Sequence, residues 1–302
     1  MRIHNARFGA LIALLLVACT STTIRPAIPA ELHGSWVNRT ADSGLDLSAD
    51  RILYREKQTT VVVQILEAAG GSLTVRKYGA RERWLLRREG EQLVQEVDGR
   101  RTEFEPAAAR LSIDTIEIGQ ARPLPPERIA EIQAEIARRL AEEQVIRKDR
   151  ARRAELPPID AANKVYLTTL VREVGWIDAG RFGEKTSSSA VILAKHSGDL
   201  GVVSTILPYV EKDFGRPGDE AQSFAITYDD VHLKLGGKQR YGSQVCRDAD
   251  GQPFVCALET PSQVDVRRAA IGLPPLEGYL AEVGKLLFEG KEVRIPNDQD
   301  EQ

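Results

Sequence analysis

His196 is the residue in this chain best suited to act as a general base near neutral pH. Asp199 or Asp229 could orient its ring, and Tyr241 could donate to a developing negative charge. Gln239 and Gln244 are the binding candidates, with Gln244 a second possible donor. These six residues come from different segments, as the residues of an assembled site do, and a hydrolase-like reaction is the chemistry they would serve. The same residue types also build buried hydrogen-bond networks that tie segments together. Both readings are open from sequence. Metal chemistry has less support, because HExxH, CxxC and zinc-finger spacings are absent. Asp248-Ala249-Asp250-Gly251 resembles a fragment of a calcium loop but lacks the third acidic position and the distal Glu. There is no G-x-S-x-G, Walker or dinucleotide fingerprint, so no cofactor is expected.

The balance of the chain narrows its class. It has 302 residues, with 41 Lys plus Arg against 44 Asp plus Glu, a formal charge of −3. That excludes the basic balance of a dedicated nucleic-acid binder. A composition 42% hydrophobic and 28% charged is that of a globular protein. Three Cys and four His are too few for a zinc array.

The elements that must position these residues follow from periodicity. Residues 32–118 hold short alternating segments, among them Thr59 to Leu66, Ser72 to Tyr78, Glu82 to Arg88, Gln92 to Val97 and Arg101 to Glu105. Gly70-Gly71, Glu89-Gly90 and Asp98-Gly99 separate them as tight turns. An antiparallel meander closing into a small barrel, or a small sandwich, is expected. Residues 119–126 read as a proline linker. A charged helix spans 127–156, with Ile129, Ile132, Ile136 and Leu140 as one apolar stripe. Glu135–Arg139 and Glu143–Arg147 are favourable i,i+4 pairs, and Pro157-Pro158 marks the helix end. Its basic end, Arg147 to Arg153, is either a patch for anionic lipid or polysaccharide or a solvated helix terminus.

Residues 157–290 form a mostly helical domain. Helices are expected over Ala162 to Val174, around Ala190 to His196, after Asp199 as a cap, over Glu220 to Leu235, Val264 to Ile271 and Leu276 to Phe288. Thr186 to Ser189 could cap the second of these, and Arg181-Phe182-Gly183 reads as a loop. Two strands, Gln239 to Cys246 and Pro253 to Leu258, make an embedded hairpin, and 291–302 is a polar tail. The fold class is α+β: an N-terminal meander joined by a long helix to a helical domain with one hairpin.

The N-terminus gives an address. Arg2 and Arg7 precede the uncharged run Phe8 to Val17, which is too short for a permanent span and fits a secretory signal over 1–18. Leu16-Val17-Ala18-Cys19 resembles the lipobox of bacterial lipoproteins. The resemblance implies that Cys19 is lipidated and becomes the first residue, with 19–31 as a tether to a membrane. By resemblance to enterobacterial sorting rules, the absence of Asp after Cys19 implies the outer membrane, and a periplasm-facing position is the expectation. Cys246 and Cys256 would then be the remaining pair in an oxidising space, expected to bridge across the Asp250-Gly251 turn from opposite positions. A redox-active pair is the alternative, but the spacing offers no Cys-X-X-Cys activation.

Two further resemblances bear on function. Leu32-His33-Gly34-Ser35-Trp36 is similar to the entry motif of lipocalin-like meanders, which implies a cavity for an apolar ligand. The second half resembles an uncharacterised bacterial domain family with the pattern GW…VG…QHAD…DRV…QxYGTQ…D.RR…GL.PL..Y. Here it is carried by Gly175-Trp176, Phe182-Gly183, Lys195-His196-Ser197-Gly198-Asp199, Asp229-Asp230-Val231 and Gln239-Arg240-Tyr241-Gly242-Ser243-Gln244. Asp265-Val266-Arg267-Arg268, Gly272-Leu273-Pro274-Pro275-Leu276 and Tyr279 complete it. His196, Asp199, Asp229, Gln239, Tyr241 and Gln244 are its polar members. Lys195 stands for the usual Gln and Asp230 for the usual Arg. The expectation is an outer-membrane lipoprotein with a binding role toward an envelope protein or glycan. A hydrolase using His196 with Asp199 or Asp229, and a carrier of apolar ligands in the β module, are the alternatives.

Overall fold

A computed structural model describes residues 26–49, 51–56, 59–77, 82–247 and 251–295. The signal, Cys19, Asp248 to Asp250 and the tail beyond 295 lie outside the described residues.

Eight antiparallel strands form a closed barrel in sequence order. They are β1 (Gly34–Asn38), β2 (Ser43–Leu47), β3 (Ile52–Glu56), β4 (Thr59–Ala69), β5 (Ser72–Lys77), β6 (Arg83–Glu89), β7 (Gln92–Val97) and β8 (Arg100–Pro106). Period-two alternation sends Leu45, Leu47, Ile52, Tyr54, Val61 and Val63 inward from β2, β3 and β4, where they are buried together. Gly70-Gly71 and Asp98-Gly99 make two-residue turns, with positive φ at both positions of each. That is the turn whose twist matches paired strands. Between barrel and sandwich the closure decides: Trp36 and Val37 of β1 pair with Pro106 and Glu105 of β8. Leu73, Trp84, Leu86, Leu93 and Phe104 fill the interior, and the Trp36 indole donates to the Leu32 carbonyl at one end.

The chain after β8 is not a free linker. Arg110 clamps Asp46 of β2 through both carboxylate oxygens (3.0 and 3.2 Å), while Ser35 donates to the same group at 2.6 Å. Ile113, Ile116 and Ile118 then pack on the helical core. The Ile116 N–H donates to Thr205 Oγ1 and the Gly119 N–H to the Val171 carbonyl. The segment is a strap from barrel to helices.

Burial by itself would raise the Asp46 pKa. The Arg110 guanidinium, the Ser35 hydroxyl and the Leu111 N–H outweigh it and hold the carboxyl below its ordinary value. A depressed folded pKa contributes stability above the unfolded value of about 4, lost as pH falls through the folded one. Asp46→Asn should therefore lose about 1 kcal/mol at pH 7. In urea titrations the gap to wild type should shrink as pH drops below about 4.

The helical part comprises α1 (Pro126–Lys148), α2 (Leu156–Val174), α3 (Ala179–Phe182), α4 (Glu184–His196), α5 (Leu200–Phe214), α6 (Ala221–Lys234), α7 (Val264–Ala270) and α8 (Leu276–Leu287). A hairpin of β9 (Val245–Arg247) and β10 (Pro253–Val255) sits between α6 and α7. Ile132 and Ile136 of α1 enter the same core as Leu167, Val171, Ile206 and Phe224, so α1 is part of the domain rather than a bare connector. Leu53 and Val62, paired on the outer barrel face, are buried. The loop after α6 approaches Val62 so closely that a Cβ on Gly236 would lie 2.9 Å from its Cγ1.

Several boundaries differ from the sequence expectation. Pro157-Pro158 open α2 instead of closing α1, which stops at Lys148 before a 3-10 segment over Arg150–Glu155. Proline lacks an N–H that the first helical turn does not need, so it suits a start as well as a stop. Arg181 and Phe182 lie in α3, capped by Asp178, not in a loop. Thr186 to Ser189 lie inside α4, so none of them caps it. The hairpin strands are shorter than expected, because the N–H groups of Arg240, Tyr241 and Ser243 go to the Asp229 carboxylate instead of a strand partner. Cys246 and Cys256 are bridged, with Cα atoms 5.1 Å apart. They are not directly opposite: Phe254 is the partner of Cys246 in register. The bridge is diagonal across one face, which the two-residue pleat permits.

Candidate functional site

The family-pattern residues divide into two places. The first is built on α6 and the loop after it. Asp229, fully buried, accepts from the N–H groups of Arg240 (2.7 Å), Tyr241 (3.0 Å) and Ser243 (2.9 Å). Gln239 donates to the carbonyls of Gln244 and Cys256 and accepts from the Gln244 N–H. The Gln244 amide donates to the Ile226 carbonyl. Arg268, fully buried, donates to the carbonyls of Pro274 (2.7 Å) and Tyr241 (2.8 Å). Tyr279 donates to the Ser243 carbonyl. Tyr241 packs edge-on to Phe224 and Tyr228, and burial pushes its pKa up to about 12. Burial also raises Asp229, against the pull of its three N–H donors. These bonds hold one irregular loop against α6, α7 and α8, so the first place is a scaffold.

The second place lies where α1, α2 and α4 meet the start of α5. His196, at the last residue of α4, presents Nδ1 to Glu143 Oε1 of α1. Glu143 is fully buried, while the His196 side chain keeps 29% exposure. Asn163 of α2 donates to the other Glu143 oxygen at 3.3 Å, and Arg139 donates to Asn163 at 3.1 Å. Arg147 stands 3.7 Å from Glu143 and bonds Asp160 of α2 at 2.5 Å. Burial raises the Asp160 pKa, and Arg147 pulls it back. Asp199 caps α5 through the N–H groups of Gly201 and Val202 and pairs with Lys164 of α2.

His196 is thus oriented by Glu143, not by Asp199 or Asp229. No hydrogen bond joins it to Asp199, Asp229, Tyr241, Gln239 or Gln244 among the described residues. Glu143, Asp160 and Asn163 were not among the sequence candidates, and Arg147, read there as part of a basic helix end, is paired with Asp160. The signal for Glu143 was its position: it lies one turn beyond Leu140, which also faces the core. An imidazole with one nitrogen on a buried carboxylate has its other nitrogen left to face a ligand, the arrangement of a positioned base. Among the described residues, no group of three or more His, Cys, Asp or Glu is arranged to hold a metal ion.

A family described as one of unknown function, DUF6624, matches residues 129–288. The chain belongs to the DUF6624 family. The DUF6624 match begins within the first turn of α1 and runs just past the end of α8, leaving the barrel outside it. Both polar places, and Glu143 with them, therefore lie within the DUF6624 region. No curated protein and no solved structure matches the chain.

Proposed function

We propose that this protein is an outer-membrane lipoprotein, anchored through Cys19 and facing the periplasm. In this reading the barrel is a spacer and the DUF6624 domain binds an envelope protein or glycan. The observation that favours binding over catalysis is the use of Asp229, Gln239, Tyr241 and Gln244 as internal ties, none of them at His196. Side chains occupying the barrel interior favour a spacer over a carrier of apolar ligands. The Cys246–Cys256 bridge suits an oxidising compartment. Among the described residues no helix is long and apolar enough to cross a membrane, so lipid on Cys19 would be the attachment. The buried Glu143 behind His196 favours a second reading, a hydrolase with His196 as its base.

Envelope fractionation with mass spectrometry of the N-terminal peptide tests the anchor. Wild type should give a triacylated or diacylated Cys19 peptide in the outer-membrane fraction, and Cys19→Ala should leave that fraction. An intact, unmodified N-terminus on a cytosolic protein would refute the proposal. For the binding role, in-cell crosslinking should give a partner that His196→Ala loses while the variant still unfolds cooperatively, at a lowered thermal midpoint. An unchanged partner with a lost hydrolytic turnover would favour the second reading.

A further inference from the structure

A groove of about 120 Å³ runs between α4, α5 and α6, away from the barrel interior. Val191 and Ile192 from α4, Val210 and Phe214 from α5, and Phe224 from α6 make its apolar side, with the hydroxyls of Ser188, Ser223 and Thr227 also in its lining. Lys195 lines it too, one turn beyond Val191 on the same face of α4. Lys195 forms no hydrogen bond or ion pair with the described residues. The opposing charge that acts on it, Asp230 of α6, lines a second small pocket with Lys195 and is already bonded to Lys234 at 2.7 Å. Burial lowers the Lys195 pKa, with Asp230 opposing that shift and Lys234 adding to it. A partly desolvated ammonium without its own acceptor is poised for a charge-assisted hydrogen bond. Glu220 also lines the groove and repels an anion, so a negative group is drawn to the Lys195 side.

We propose that this groove binds a small amphipathic carboxylate, with its apolar body between the three helices and its head on Lys195. The volume sets the size. A cavity of about 150 Å³ lined by Leu, Ile and Phe accepts benzene, so a chain of roughly six carbons is the match here. The site lies apart from the Glu143–His196 pair and does not depend on the lipid anchor.

Titration calorimetry of the purified full chain with hexanoate, hexan-1-ol and hexylammonium tests it. Hexanoate should bind about tenfold tighter than hexan-1-ol, because only the carboxylate engages Lys195. Hexylammonium should be the weakest. Lys195→Met should bring hexanoate down to the level of hexan-1-ol and leave the alcohol unchanged. Val191→Trp should fill the groove and abolish both. Thermal midpoints report whether each variant folds. If Lys195→Met does not, hexanoate selectivity in wild type and its loss in Val191→Trp decide. No hexanoate binding, binding no tighter than that of hexan-1-ol, or selectivity that survives Lys195→Met would overturn the proposal.

Discussion

Glu143→Ala should destabilise the protein by about 3–5 kcal/mol, the range expected when one partner of a buried charged network is removed. Three groups lose a hydrogen-bond partner at once, His196 Nδ1 and the Asn163 and Gln144 amides, and Arg147 loses the carboxylate that stands 3.7 Å from it. The Glu143 side chain is fully buried, so water does not replace it without opening the helix interface. Glu143→Gln keeps the shape and one carbonyl acceptor but loses the charge facing Arg147, and should cost less, about 1–2 kcal/mol. Urea unfolding of both variants supplies the measurement. A double-mutant cycle with His196→Ala should show a coupling of about 1–3 kcal/mol, since the two side chains are in contact. Additive effects would mean that the pair contributes nothing as a unit, and would remove the case for a positioned imidazole.

Gly201→Ala should also be damaging, to a smaller degree and for a steric reason. Gly201 is in the first turn of α5, and a Cβ there would lie 1.9 Å from the Asp114 carbonyl oxygen and 2.9 Å from its carbon. Those atoms are backbone, so no rotamer relieves the clash and the strap must move off the helix. The Thr205 hydroxyl, which accepts from the strap at Ile116 and donates to the Gly201 carbonyl, would shift with it. Alanine is the better helix former by about 1 kcal/mol, but overpacking against backbone outweighs that, leaving a net loss of about 2 kcal/mol. Gly278→Ala in α8 is the control, because its Cβ meets nothing within 4 Å. It should gain about 0.5–1 kcal/mol. Thermal or urea midpoints showing the same sign at both positions would refute the strap argument.

Some of the fold could be read along the chain because it depends on neighbours in sequence. The Gly70-Gly71 and Asp98-Gly99 turns require positive φ, and the residues that adopt it identify them. The capping of α5 by Asp199 is likewise local. Pro157-Pro158 was ambiguous, because proline is compatible with the edge of a helix at either end. Residues 239–244 are expected to extend the first hairpin strand, yet Asp229 takes three of their N–H groups and bends them into a loop.

Sequence by itself therefore determined the two-part α+β order, the strand and helix periods, and the cysteine pair able to bridge. Tertiary structure decided which polar residues meet. Glu143 reads as half of a surface i,i+4 pair with Arg147, and packing of α1 on α2 and α4 turns it into the buried carboxylate behind His196. Asp229 and Tyr241 read as candidates for the same site and are spent holding a loop. The cause is that helical and strand periods select a face, while the partner of a polar side chain depends on which element covers that face.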